Sequence, residues 1–196
     1  MYGVDVAVPV SAAQFTCLMA ANVTWASVRA WHSTGSVDQN AAGNLAAAAT
    51  AGLKNVDAYL FPCRALSAEF QASATVHSLP AGSYGAIWLD IEMNPSRTHA
   101  THQNCSWATH DAPSNCEYVR MLADAIRAHN VEVGILILEP SLVAAHRGRQ
   151  LHGDARPASV VSALRSNISR VRRLRRPPLW RMDPPTMEAV HGQGWH

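Results

Sequence analysis

Five apolar, strand-favouring runs recur along the chain, and helix-patterned segments separate them. The runs are YGVDVAVPV (2–10), TWASVRAW (24–31), NVDAYLFP (55–62), YGAIWLDIE (84–92) and VEVGILIL (131–138). Behind the first, Ser11-Ala-Ala-Gln14 has capping-box form, with Phe15, Leu18 and Met19 spaced along one helical face. Asp38 is read as opening a very Ala-rich helix that stops at Gly52, and residues 64–77 predict a third helix. A long polar loop (93–113) leads to Ser114-Asn-Cys-Glu117, read as a second capping box. Behind it, Tyr118, Met121, Leu122, Ala125 and Ile126 fall on one helical face. Strand–helix alternation repeated in this way predicts a parallel sheet with right-handed crossovers, either doubly wound or closed into a β/α barrel. The first strand turn, VDVAVPVS, carries neither G-x-G-x-x-G nor a Walker pattern, so the barrel is preferred.

Composition bounds the rest. A chain of 196 residues suits one domain, and 48% hydrophobic with 15% charged residues is a globular balance. No apolar run reaches membrane-spanning length. The net charge of +2 conceals a split: residues 1–135 hold 6 basic and 10 acidic side chains, residues 136–196 hold 10 and 4. All ten basic residues of the second part are Arg. The four cysteines, Cys17, Cys63, Cys105 and Cys116, include no C-x-x-C pair. An even count suits disulfides in an exported protein, and three connectivities are open. Asn-x-Ser/Thr triplets at Asn22, Asn104 and Asn167 lean the same way. No signal peptide is visible, and the start on a strand suits a mature or clipped exported domain. The expected location is extracellular or lysosomal-phagosomal.

In parallel barrels the reactive groups sit at the carboxyl ends of the strands. The stretch YGAIWLDIEMNPS (84–96) finishes an apolar run on two acids. Side chains alternate along a strand, so Trp88, Asp90 and Glu92 share one face, with the acid-bearing Cα atoms roughly 6.5 Å apart. Burial and like charge should keep one carboxyl protonated nearer neutral pH than usual. An acid beside a base is what glycosidic-bond cleavage requires. Asp5 interrupts the first apolar strand, which is costly unless the acid is paired or functional. Three acids, Asp5, Asp90 and Glu92, are therefore expected at one mouth. Trp88 is read as a sugar platform or as core.

The segments Tyr2-Gly-Val-Asp5-Val, Val28-Arg-Ala-Trp31, Val37-Asp-Gln-Asn40, Gly52-Leu-Lys-Asn-Val-Asp57-Ala-Tyr59-Leu-Phe-Pro-Cys63 and Tyr84-Gly-Ala-Ile-Trp-Leu-Asp90-Ile-Glu92 resemble glycoside hydrolase family 25 lysozymes of the eukaryotic branch. The resemblance covers about residues 1–135. It implies an irregular, TIM-like β/α barrel that hydrolyses the β-1,4 bond between N-acetylmuramic acid and N-acetylglucosamine in peptidoglycan. It implies Glu92 as general acid/base, and Asp90 as support for the substrate's N-acetyl group or for an oxocarbenium-like state. Asp5 becomes a further active-site acid, with Tyr59 and Trp88 lining the sugar groove. No metal or organic cofactor, nucleic acid or membrane is implied, and the chain is expected to act as a monomer on bacterial peptidoglycan.

Beyond Gly134 the family pattern is lost. The chain reads ILILEPSLVAAHRGRQ and then RVRRLRRPP, so one domain over 1–196 is expected to have a divergent or incomplete C-terminal part. The sharp onset of Arg suggests an altered reading frame or divergent tail. Pro178-Leu-Trp180 and Asp183 stand near a late family strand, but no catalytic role transfers to them. Rival readings attach to three segments. His99, His102, Cys105 and His110 share one loop that could hold zinc; the alternative is a polar loop with a Cys105–Cys116 disulfide. The Arg170–Arg176 cluster could bind nucleic acid or an anionic cell wall, but no aromatic platform or recognised module accompanies it, and it is read as a solvated basic tail. The Ala-rich segment 41–51 lacks bulky apolar residues and is read as a packing helix. The runner-up function is a catalytically impaired, wall-binding relative. A chitin-directed hydrolase would carry D-x-x-D-x-D-x-E, which Gly85–Leu89 do not supply.

Overall fold

The computed structural model describes residues 2–138. The Arg-rich tail, Asn167, Pro178–Trp180, Asp183 and the single-domain reading of the whole chain lie outside them. Strands β1 (Tyr2–Val6), β2 (Val23–His32), β4 (Val56–Leu60), β5 (Ala86–Ile91) and β6 (Glu132–Ile137) pair in parallel in the order β1-β2-β4-β5-β6. A two-residue strand, β3 (Ser36–Val37), folds back antiparallel on the end of β2. Helices α1 (Ala12–Ala20), α2 (Ala41–Ala51), α3 (Ala68–Ser78) and α4 (Ala112–Arg127) fill the crossovers. Because the order is sequential and such crossovers are right-handed, all four helices fall on one face of the sheet.

That face is the core. Ala26, Val28 and Ala30 of β2, Ala58 and Leu60 of β4, and Ile87, Leu89 and Ile91 of β5 are buried against Phe15, Leu45, Ala48, Ala72, Leu122 and Ile126 of the helices. Small residues in α2 let it approach the strands closely, so the Ala-rich segment is a packing helix. It ends where Gly52 takes φ +85°, a conformation that costs glycine no Cβ clash.

Local signals were placed with unequal success. The Ser11 capping box is present: the Gln14 amide N–H donates to Ser11 Oγ, and the Ser11 N–H donates to Gln14 Oε1 at 2.8 Å. The second capping box is not. Asp111 caps α4 by accepting from the Ser114 N–H at 2.9 Å, and Pro113 then lies in the first turn. Asp38 does not open α2. It is buried and accepts from Arg29, so the helix starts at Ala41. β1 ends at Val6 because Arg29 and Asn44 take the Ala7 and Val8 carbonyls that a longer strand would need.

The expected closed barrel is corrected to an open sheet. Among the described residues β1 and β6 are its edges, and five parallel strands fall short of the eight that close a β/α barrel. Electrostatics nevertheless couple β1 to β5. In a flat sheet β1 and β5 would stand roughly 14 Å apart, at about 4.8 Å per strand spacing. The charge of Asp5 on β1 still reaches Asp90 on β5. An open cup describes it better than a barrel.

Candidate active site

The face of the sheet away from the helices carries the acids. Register alternation puts Arg29, Tyr59, Trp88 and Gly134 in one row across β2, β4, β5 and β6. Asp90 lies one pleat further along β5, and Glu92 follows just past its end. Asp90 is 8% exposed, and its Oδ1 is buried without a hydrogen-bond partner. Burial pushes its carboxyl up to about 7, and the Glu92 charge, a hydrogen bond shared with Glu92, and the Asp5 charge push the same way. Asp90 thus lies on the inner face, within electrostatic reach of Glu92 and Asp5.

Tyr59 stands between two charged groups. Burial lifts its hydroxyl to about 12; Asp5, Asp90 and Asp38 add to this while Arg29 opposes it. The phenol therefore stays neutral, able to donate and accept, throughout the ordinary pH range. Arg29 is fixed by Nε donating to Asp38 Oδ2 at 2.7 Å and Nη2 donating to the Ala7 carbonyl at 2.8 Å. Trp88 sits deeper. Its indole N–H donates to Asp57 Oδ2 at 3.1 Å, and its ring covers Gly134, where a Cβ would come within 2.4 Å. Its ring is a floor under the acids, and its N–H is committed away from them.

Three features of the rim escaped the sequence reading. Asn94, fully buried, donates from Nδ2 to the Ser33 and Pro62 carbonyls at 2.9 and 3.0 Å and accepts from the Ser96 N–H at 2.9 Å. It ties together the loops that follow β2, β4 and β5, two residues beyond Glu92. A Cys63–Cys105 disulfide joins two of these loops again. Cys105 therefore bonds Cys63 rather than Cys116, and it is withdrawn from the His99, His102 and His110 loop as a metal ligand. Among the described residues no group of three or more His, Cys, Asp or Glu could hold a metal ion. The third feature is the Arg29–Asp38 pair. A charged residue inside the strand VRAW was its only signal. Asn94 looked like a turn residue before Pro95.

A cup of carboxylates at the carboxyl ends of parallel strands defines an α/β fold of glycoside-hydrolase type. The family model described as lysozyme-like protein 1 matches residues 1–137. The chain belongs to this family, and with it to the lysozymes of glycoside hydrolase family 25 type. It is 33% identical over 138 residues to lysozyme-like protein 5 of Caenorhabditis elegans, covering 68% of this chain and 59% of that one. It is 39% identical over 93 residues to probable GH family 25 lysozyme 2 of Dictyostelium discoideum, covering 46% and 44%. The chain thus spans about half the length of these curated relatives. The solved structure of a family 25 glycosyl hydrolase from Bacillus anthracis superposes with a TM-score of 0.52 at 17% identity, over 79% of this chain and 65% of that one. At that identity the likeness concerns the fold. No helix among the described residues is long and apolar enough to cross a membrane.

Proposed function

We propose that the chain is a muramidase that hydrolyses the β-1,4 bond between N-acetylmuramic acid and N-acetylglucosamine in bacterial peptidoglycan. The observation that carries this reading is Asp90 itself: a buried acid at the carboxyl end of β5, with one oxygen unpartnered and the charges of Glu92 and Asp5 acting on it. Glu92, half-buried at the strand end, is the group that meets the leaving oxygen and protonates it. In this reading the substrate's own acetamido group, rather than a water held between two carboxyls, attacks first. The acetamido oxygen of the substrate then attacks the sugar carbon as the leaving bond breaks. Glu92, now a base, takes a proton from the water that opens the resulting ring, and the configuration is retained. Asp90, deeper and protonated toward neutral pH, orients the acetamido group. Tyr59 offers a neutral hydroxyl to the sugar, and the Trp88 ring supports the floor.

The fold's disulfide supports an oxidising destination, extracellular or lysosomal. Clearing of a bacterial wall suspension tests the function: the unaltered chain should lyse it, and Glu92→Gln should lose on the order of a thousandfold in rate. A second reading, a wall-binding relative without hydrolysis, draws on the open sheet. Binding to walls without lysis by either protein would favour it.

A further inference from the structure

A second cleft, of about 470 Å³, opens beside the cup between the start of α1 and the start of α2. Pro9, Val10, Gln14, Gln39, Asn40 and Gly43 line it, and none of its lining residues is ionisable. The Arg29–Asp38 pair holds the backbone next to it on both sides. Arg29 holds the Ala7 carbonyl, just before Pro9, while Asp38 Oδ1 accepts from the Asn40 N–H at 3.0 Å. The cleft therefore continues the same rim, at the carboxyl ends of β1 and β2. Its walls are rigid: buried Asn44 accepts from the Val10 N–H at 2.8 Å and donates to the Val8 carbonyl at 3.0 Å. Its polar lining is not used up. Among the described residues the Gln39 and Asn40 carboxamides make no side-chain hydrogen bond, and a Cβ built on Gly43 meets nothing within 4 Å.

Unused carboxamides beside an apolar patch of Pro9 and Val10 suit a neutral ligand that carries hydroxyls, an amide and a methyl group. A charged ligand would find no counter-charge there. We propose that this cleft is a binding subsite for an N-acetylated sugar of the glycan chain, away from the linkage that is cut. The acetyl methyl would rest on Pro9 and Val10, and Gln39 and Asn40 would bond the amide and hydroxyls. This rests on the muramidase reading and adds a reason for preferring polymeric over short substrates.

Calorimetric titration in a Glu92→Gln background tests it, using peptide-free peptidoglycan glycan strands of disaccharide and octasaccharide length. The octasaccharide should bind more tightly, and Gly43→Trp, which fills the cleft, should weaken that binding roughly tenfold, the loss of one or two net hydrogen bonds. A Gln39→Ala/Asn40→Ala pair should act in the same direction without a bulky insertion, and it serves where Gly43→Trp does not fold. Removing the N-acetyl groups from the octasaccharide should cost a similar factor. Undiminished octasaccharide affinity in folded variants overturns the subsite, as does indifference to the acetyl groups. Lysis of walls by the unaltered chain is measured alongside. Lysis with unchanged variant affinity retires the cleft alone, whereas variant-sensitive binding without any lysis retires the hydrolytic step alone.

Discussion

Two buried acids on the inner face of the sheet, Asp57 and Asp90, are treated oppositely by their surroundings. Asp57, toward the amino ends of the strands, receives donors from every side. Trp25 Nε1 and Trp88 Nε1 donate to its Oδ2 at 3.0 and 3.1 Å, and the Ala86 N–H donates to Oδ1 at 3.0 Å. Gly85 packs so closely that a Cβ there would lie 2.7 Å from Oδ1. Asp90, at the carboxyl end, has a buried oxygen with no donor and a second acid for its neighbour. An acid surrounded by donors ties strands together. One denied them and placed beside like charge retains a proton toward neutral pH. The difference sets a structural carboxylate apart from the one proposed to take part in the chemistry.

Substitutions can break that contrast. The largest effect should come at the mouth: Asp90→Asn is expected to lower lytic rate on the order of a hundredfold or more while the protein stays folded, as wall clearing and circular dichroism would show. Asp57→Ala should do the reverse. It leaves three donors without their acceptor and should cost on the order of 3 kcal/mol in urea unfolding. Replacing both Cys63 and Cys105 by Ser opens a link spanning 42 residues and should cost about 2–4 kcal/mol by the same measurement. Asn94→Ala frees two loop carbonyls beside Glu92. It should lower kcat roughly tenfold with a stability loss of about 1–3 kcal/mol, so that rate and fold both register it.

The smallest effect is in pH and sharpens the comparison. The Asp90 carboxyl is raised from an ordinary value of 3.8 to about 7. The native state therefore holds a proton that the unfolded chain has released. The Asp90 contribution to stability is fully present below about pH 4 and is lost as pH rises through about 7. Asp90→Asn removes this dependence, so its Tm relative to the parent should climb by a few degrees between acid and mildly alkaline buffer.

Much of this was legible in the sequence, and the failures have physical causes. Alternating strands and helices placed the parallel sheet, because apolar periodicity reports which side of an element is buried. The same alternation put Trp88 and Asp90 on one face, which needs only the pleat, while Glu92 lies one residue past the end of β5. The closed barrel was not legible, since closure depends on strands beyond β6 and not on the pattern within 2–138. Disulfide partners were not legible either: Cys63 and Cys105 meet only because the loops after β4 and β5 converge on Asn94. Ser114 and Asp111 both fit an N-cap, and the choice fell to Asp111 because Pro113 suits a first turn, where its missing N–H is not needed. Asp57 and Asp90 look alike as letters in an apolar run. Only the donors around them, from β2 and β5, tell them apart.

Carboxyl carbon chemical shifts followed by NMR across pH test the central claim most directly, comparing Asp90 in the parent and in Glu92→Gln. The account predicts that Asp90 titrates near 7 in the parent. It should fall in Glu92→Gln but stay above the ordinary carboxylate range, because burial remains when the neighbouring charge is gone. An Asp90 that titrates in the ordinary range in the parent, unmoved by the substitution, would contradict a shared proton in the cup.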